Sequence, residues 1–411
     1  MSRVMLLIPS ASYRAPDFME AAGRLGVDVV VGTDRRNPLQ DESAGRLVEL
    51  DFDEPDLGAT QIEAYATLHP LDTIVAVDDG GQLLAARAAR RLELPYNSVG
   101  AVEATRNKAL LRQRIAAAGL PSPDAVVVPL EADPREAARA VTYPVVLKPL
   151  ALAASQGVIR ADNEAAFVAA FERIRAILVT PEAREQCGAP LADRVLVEGY
   201  IPGIEVSVEG LLDGGRLRTL AVFDKPDPLV GPYFEETIYV TPSRLSESDQ
   251  RSLLTTTEAA CRALGLDTGP VHAELRLHEG QWYPIDIAAR SIGGLCARTL
   301  SFGTGMSLEE ILLRHATGLD VPSYERESTA AGVMMIPIPR AGTLHAVHGV
   351  AEAEAVPLID SVTISIHPGG RVLPLPEGTE YLGFIFARGG SPADVEQALR
   401  DAHARLDFEI E

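Results

Sequence analysis

The sequence predicts a multidomain fold of mixed α/β and α+β character, and three observations carry that prediction. The chain runs to 411 residues, long enough for two or three units that each bury their own core. It opens on an apolar strand, a helix and a second apolar strand, the order of a parallel βαβ unit. Its end, past Pro322, reads as short strands followed by a helix, which is the α+β pattern.

The opening unit starts with the apolar run Val4-Met5-Leu6-Leu7-Ile8-Pro9, too short for a signal peptide. A Ser-rich loop, a helix through Phe18 to Leu25 and a strand at Val27 to Val31 follow. Ile74 to Val77 reads as a further buried strand, ending in Asp78-Asp79-Gly80-Gly81 before an Ala/Arg-rich helix. The architecture is Rossmann-like, but no G-x-G-x-x-G follows the first strand, which weakens a dinucleotide reading. Asp78 and Asp79 stand at the C-terminal end of a strand, where open α/β sheets face their ligands; capping the helix is the other reading for one of them.

With 37 Lys+Arg against 58 Asp+Glu the formal net charge is −21. That balance excludes a nucleic acid held through its phosphates, so an anionic ligand would need a local basic site. Three widely spaced cysteines, Cys187, Cys261 and Cys296, point to a reducing compartment, small core residues and no zinc framework. No run approaches the roughly 20 apolar residues of a membrane span. A cytoplasmic protein with no membrane partner is expected.

Pro95 to Gly100 reads as a link, and Asn107 to Gly119 as a helix with Lys108 in its first turn, where a lysine opposes the helix dipole and points to a phosphate contact. Tyr143 to Pro149 is a buried strand ending in Lys148, and a lysine in an apolar run is costly without an anion. Ala151 to Val158, ALAASQGV, is a small-residue loop able to bring backbone N–H groups onto a phosphate, or an ordinary flexible loop; it is not a Walker loop. Asn163 to Leu178 is an amphipathic helix. Two strands, Val195 to Ile201 and Glu205 to Gly210, flank Pro202-Gly203, and a strand edge at such a hinge offers backbone groups to a purine and a carboxylate to a ribose.

The stretch Gly269 to Gly294, GPVHAELRLHEGQWYPIDIAARSIGG, concentrates His272, Glu274, Asp286 and Arg290. It reads as a hairpin: Val271 to Leu277 alternates, Glu279-Gly280 turns, and Trp282 to Ile287 resumes the strand pattern. Glu274 and Asp286 oppose each other directly only across an odd loop such as Glu279-Gly280-Gln281; a two-residue turn needs a bulge to restore the register. Opposed carboxylates need an offsetting cation, a hard metal ion on one reading and cross-strand basic residues on the other. Arg290-Ser291-Ile292-Gly293-Gly294 then suits a backbone approaching an anion.

Taken in order, Lys108, VVLKP at 145–149, the loop at 151–158, VEGYIPGIEVSVEG at 197–210 and HAEL…PIDIAARSIGG at 272–294 resemble the ATP-grasp superfamily. Within it the chain is most similar to the L-amino-acid ligase branch, whose pattern includes an opening like Tyr13-Arg14 and a segment like DKPDPLVGPYFEE at 224–236. The resemblance implies an ATP-grasp fold with an N-terminal Rossmann-like domain (1–103), a small lobe (104–200), a large lobe with the metal site (201–322) and a small C-terminal α+β domain (323–411). It implies ATP and magnesium as cofactors. Lys108 and Lys148 match lysines on the ATP phosphates and adenine, and Ser155, Gln156, Gly157 and Val158 match the loop that closes over the phosphates. Glu198, Gly199, Tyr200 and Ile201 match the adenine-binding linker, with Glu205 at the ribose. Glu274 and Asp286 match the magnesium carboxylates, and Arg290, expected to be catalytic together with Lys148, matches the arginine on the acyl phosphate. His272, Gly293 and Gly294 join Arg290 on the substrate side. The family usually has Glu at Asp286 and Asn at Ala288, departures that bear on a second magnesium.

The activity implied is ATP-dependent joining of a carboxylate, amino-acid-like, to an amine, releasing ADP and phosphate. Carboxylate activation toward a different acceptor and nucleotide binding without turnover are the alternatives. Small-molecule substrates are the expected partners, and a homodimer stays open. After Pro322, strands at Ala331 to Ile336, Ser361 to His367 and Tyr381 to Ala387 precede a helix from Pro392 to Leu406, with no catalytic constellation; His345 and His348 read as surface residues.

Overall fold

The computed structural model describes residues 2–10, 12–35 and 45–411; Ala11, in the expected Ser-rich loop, lies outside them. The first unit is Rossmann-like. Its parallel strands run in the order Leu47–Glu49, Asp28–Thr33, Arg3–Leu7, Thr73–Ala76, and the two central ones are apolar on both faces because helices cover both. The helix Ala15–Leu25 turns Phe18, Ala21 and Ala22 inward and ends at Gly26, φ +63°, the left-handed stop that glycine adopts without strain. At the far edge, Thr73–Ala76 runs into Asp78 and the helix Asp79–Arg91. Asp78 sits at the N-cap position, but its side chain makes no capping hydrogen bond, so the capping role expected for one of this pair is not filled by it.

The expected link at Pro95 to Gly100 is shorter than the sequence indicates. Ser98 accepts from the Ala101 N–H and starts a helix, Val99–Arg106, that already contains Val99 and Gly100. Asn107 then ends that helix and caps the next, Lys108–Ala117, through Ala109 and Leu110 N–H. The second helix is the one expected from Asn107 to Gly119, with Asn107 as its cap; the first, Val99–Arg106, was not expected.

Among the described residues three antiparallel sheets follow, one of them a small C-terminal one of Arg371–Val372, Gly342–His348 and Asp407–Ile410; the other two build the site. The smaller runs Ala125–Pro129, Arg194–Gly199, Val145–Pro149, Ile159–Ala161 and packs on the helix Glu164–Leu178, capped by Asn163. The larger has eight strands among the described residues: Gln281–Ala288, Gly269–His278, Ile204–Asp213, Arg216–Asp224, Ile238–Thr241, Ala330–Ile336, Gly383–Gly389 and Ile359–Ile364. Its last three strands lie beyond residue 322, so the division expected at 322/323 is no break in the sheet; Ile238–Thr241 pairs directly with Ala330–Ile336. The helix Glu247–Leu264 packs on this sheet through Leu253, Thr257, Ala260, Cys261 and Leu264. Its Thr255-Thr256-Thr257 run disfavours helix locally, and the buried stripe overrides that preference. Cys187, Cys261 and Cys296 are all buried and unpaired in disulfides. Among the described residues no helix is long and apolar enough to cross a membrane.

Candidate active site

The site is built on one face of the large sheet. On the strand Ile204–Asp213, Glu205, Ser207 and Glu209 alternate with Val206 and Val208, which enter the core behind. The neighbouring strand matches them residue for residue, Arg276 opposite Glu205, Glu274 opposite Ser207 and His272 opposite Glu209. Directly paired residues share a face, so seven residues with Asp286 make a continuous polar surface.

Glu274 does stand opposite Asp286, by a different route from the odd loop Glu279-Gly280-Gln281. His278 pairs with Gln281 across a two-residue turn, with Glu279 at φ +49° and Gly280 at φ +77°. The ladder then slips by one residue between Glu274 and Leu275, so that Leu275 pairs with Pro284 and Ile285 is left as the bulge. Pro284 has no N–H for a ladder bond, which favours a bulge at that point. The buried Arg112 grips it, donating to the Pro284 carbonyl at 3.0 Å and the Ile285 carbonyl at 2.7 Å.

The offsetting cation for the carboxylates is already present in the chain. Lys225 reaches Glu205 at 2.7 Å, Glu274 at 3.2 Å and Glu236. Burial works against its charge, but the three carboxylates outweigh burial and hold its ammonium well above the usual lysine range. Burial and the nearby Glu274 push the Glu236 carboxyl the other way, up to about 7. Glu205, expected at a ribose, is also held by Arg276 Nε at 2.6 Å, and Arg276 extends to the carbonyls of Ile201 and Leu229. His272 lies between Glu209, 3.1 Å from Nδ1, and Glu274, 3.4 Å from Nε2. Burial lowers its basicity, yet the two carboxylates prevail and raise it to about 9.

Arg290 pairs with neither Glu274 nor Asp286, the partners expected of a purely structural arginine. Its Nη2 meets Asp79 at 2.7 Å, and despite burial Asp79 raises the guanidinium further. Asp79 therefore leaves the first helical turn of the N-terminal unit to face the hairpin exit, as a strand-end position facing a ligand should.

Lys148 is buried, as its apolar surroundings require, and the anion it needs is Glu198 on the adjacent strand. Glu198 is shared with Arg112, Nε to Oε2 at 2.7 Å. Burial would raise its carboxyl, but the two cations hold it at about 2. Lys108 donates to the Leu152 carbonyl at 2.8 Å and lies 3.9 Å from Asp286, tying the small-residue loop to the hairpin. In that loop Ala154, Ser155 and Gly157 all take positive φ, and a Cβ at Gly157 would come within 2.6 Å of Pro149. Gln156 and Gly157 do not face the site: they bond the carbonyls of Glu377 and Pro376 and stand outside the described cavity lining.

These groups surround one cavity of ≈ 320 Å³, within the range of ordinary small-molecule sites. Lys108, Lys148, Ser155, Val158 and the linker Glu198, Gly199, Tyr200 and Ile201 line it. So do His272, Glu274, Asp286, Arg290, Gly293 and Gly294, together with Tyr13, Tyr239 and Tyr381. At the hinge a Cβ on Gly203, φ +110°, would meet the Leu277 carbonyl at 1.9 Å, so the backbone there passes where only glycine fits. Carboxylate oxygens of Glu205, Glu236 and Glu274 lie within 4.8 Å of one another, a hard donor set of the kind a divalent cation takes, but Lys225 contacts all three, which leaves Glu274 with Asp286 as the pair free of that ammonium on one side. Ser207, paired with Glu274, keeps a fully buried hydroxyl with no partner among the described residues.

Whereas Asp79 was read in the sequence as a strand-end position facing a ligand, Arg112, Lys225, Glu236, Arg276 and Glu209 were not singled out there as site residues. A signal existed for two of them. Glu209 continues the i, i+2, i+4 alternation of Glu205 and Ser207, and Lys225 closes an apolar strand and precedes a proline, as Lys148 does, though after Asp224. Nothing local marks the others, whose roles arise from partners far apart in the chain.

Residues 19–96, 141–299 and 334–411 match, in turn, the ATP-grasp N-terminal domain, the ATP-grasp domain and the L-amino acid ligase C-terminal domain 2. Alanine–anticapsin ligase of Bacillus subtilis is 28% identical over 275 residues, covering 64% of this chain and 58% of that protein. Dapdiamide A synthase of Enterobacter agglomerans is 28% identical over 238 residues, covering 57% of this chain and 53% of that protein. This chain thus spans little more than half the length of either. The crystal structure of an L-amino acid ligase from Bacillus licheniformis superposes over 100% of this chain and 99% of its own with a TM-score of 0.82, at 24% identity, which speaks to the fold. With three successive matches over residues 19–96, 141–299 and 334–411, the chain belongs to the ATP-grasp superfamily and within it is most similar to the L-amino-acid ligase branch.

Proposed function

We propose that the protein is an ATP- and magnesium-dependent carboxylate–amine ligase, joining an amino-acid-like carboxylate to an amine and releasing ADP and phosphate. The observation that carries the reading is one cavity lined by Lys108 and Lys148 together with Glu274, Asp286 and Arg290. A relative named for joining alanine to anticapsin supports an amino-acid substrate. ATP would lie along the linker Glu198 to Ile201, between the spans 104–200 and 201–322, with 1–103 and 323–411 closing the substrate end. The γ-phosphoryl group passes to the substrate carboxylate, and the amine displaces phosphate from the resulting acyl phosphate. No nucleophilic side chain is needed; the chain's residues orient the reactants and offset developing charge. Lys108 and Lys148 face phosphate oxygens, and Arg290 faces the transferred phosphoryl group and the substrate carboxylate. Magnesium, held by Glu274 and Asp286, would supply neutralisation of the phosphate charge.

One observation favours a second reading, nucleotide binding without turnover: Ala288 lines the cavity where the family usually has an Asn ligand. A third, the same activation with a different acceptor, leaves the site unchanged. Supplying pooled amino acids with ATP and magnesium separates them. The ligase releases ADP and phosphate only when carboxylate and amine are both present; AMP and pyrophosphate, or no product, would remove the assignment.

A further inference from the structure

The Arg290–Gly294 loop is gripped at two successive residues by buried charges of opposite sign. Glu209, 0% exposed, accepts the Ile292 N–H with both carboxylate oxygens, each at 3.0 Å, and its Oε2 also holds His272 Nδ1 at 3.1 Å. Arg14, 1% exposed, donates from Nη2 to Ser291 Oγ at 2.8 Å and from Nη1 to the Val77 carbonyl at 3.0 Å. Its remaining carboxylate contact is Glu309 at 3.4 Å. Val77 immediately precedes Asp78-Asp79, and Asp79 is the residue that meets Arg290. Arg14 is therefore bonded to both segments that carry the Asp79–Arg290 pair, one in the N-terminal unit and one at the exit of the hairpin. The described lining of the cavity includes neither Arg14 nor Glu209.

Buried ion pairs are poor devices for stability alone, since apolar residues of similar volume serve as well or better. What two buried charges do provide is a directed, multi-point hold on a loop whose backbone would otherwise choose among several paths. We infer that Arg14 and Glu209 are positioning residues that set Arg290 and His272 for the reaction. The inference rests on the ligase reading above. Arg14 fixes the loop against the Asp79 turn, and Glu209 fixes it against the sheet while holding the His272 ring.

The test compares Arg14→Met, Arg14→Lys, Glu209→Gln and Ser291→Ala with the wild type, using ADP release with saturating substrates and thermal unfolding of each protein. Loss of position at an active site costs on the order of 100-fold per ångström, so kcat should fall about 10- to 100-fold in Arg14→Met and Glu209→Gln. The KM for ATP should stay within about twofold, because the ATP end of the cavity is untouched. Arg14→Lys carries a single donor head and should recover only part of the loss. Ser291→Ala removes the bond between Arg14 and the loop while sparing its bond to Val77, and should lower kcat even if Arg14→Met does not fold. A purely structural role predicts lower unfolding temperatures with wild-type kcat per folded molecule, and that result overturns the inference. If the wild type itself releases no ADP with any amino-acid pair, the ligase reading fails and takes the inference with it; normal wild-type turnover with unaffected folded variants defeats the inference alone.

Discussion

Lys225 is the residue on which the acidic face depends. Three carboxylates, Glu205, Glu236 and Glu274, converge on its ammonium, and without it they would face one another at low dielectric. Removing one member of a buried ion cluster costs roughly 3 to 5 kcal/mol, and Lys225→Met should destabilise the protein by about that much in the absence of divalent cations. Magnesium should return part of it, about 2.7 kcal/mol at a hundredfold excess over its dissociation constant. Thermal unfolding with magnesium and with EDTA checks both parts; a variant indifferent to magnesium would show that the cluster is not a cation site. Arg290 poses the opposite question, because its partner Asp79 belongs to a different unit. A bond across units gives Arg290→Ala a modest effect on stability, whereas its place in the cavity predicts a fall in turnover of about 100-fold or more with ATP binding near normal. Steady-state kinetics on a verified substrate pair decide it, and retention of most of the turnover ends the catalytic role.

At the scale of the element, the hairpin shows what local pattern can and cannot carry. Its turn places Glu279, 84% exposed at the side chain, at φ +49°, a left-handed position that asparagine tolerates better. Glu279→Asn should therefore raise stability by about 0.5 to 1 kcal/mol and leave turnover unchanged, since the turn lies outside the described cavity lining; unfolding curves with activity measured alongside check this. The alternation that placed His272 and Glu274 on one face was legible because strand period is a property of neighbours in sequence. The bulge at Ile285 was not, because it depends on Arg112, 172 positions from Pro284, as well as on proline. The same distinction runs through the site. Lys148 advertised its need for an anion, while the identity of that anion, Glu198, came only with the pairing of two strands. Gln156 and Gly157 read as phosphate-loop residues from composition, but the carbonyls of Pro376 and Glu377, more than 200 residues on, turn them away from the cavity. The Rossmann-like opening and the buried strand at Val145–Pro149 needed no such partners and were visible at once.

For the whole molecule, Glu198 is the point where the parts of the ATP end are joined. It lies on the small sheet, pairs with Lys148 beside it, and binds Arg112 of the helix Lys108–Ala117, which in turn holds the bulge of the large sheet. One buried carboxylate thus links small sheet, helix and hairpin. Its folded-state value of about 2 lies below the usual 4.5 for glutamate, so the sign is that of a depressed acid. The stabilisation is fully present above about pH 4.5 and is lost as pH falls toward and through about 2. At 1.36 kcal/mol per unit the carboxylate contributes on the order of 3 kcal/mol at neutral pH. Other carboxylates also titrate in this window, so the measurement is a difference. Urea unfolding of wild type and Glu198→Gln from pH 7 to pH 2 should show a gap between the two that is constant down to about pH 5 and then narrows steadily. A gap that does not change with pH would mean that the carboxylate's charge is not what joins these parts, and that shape and hydrogen bonding alone hold the linker to the sheets.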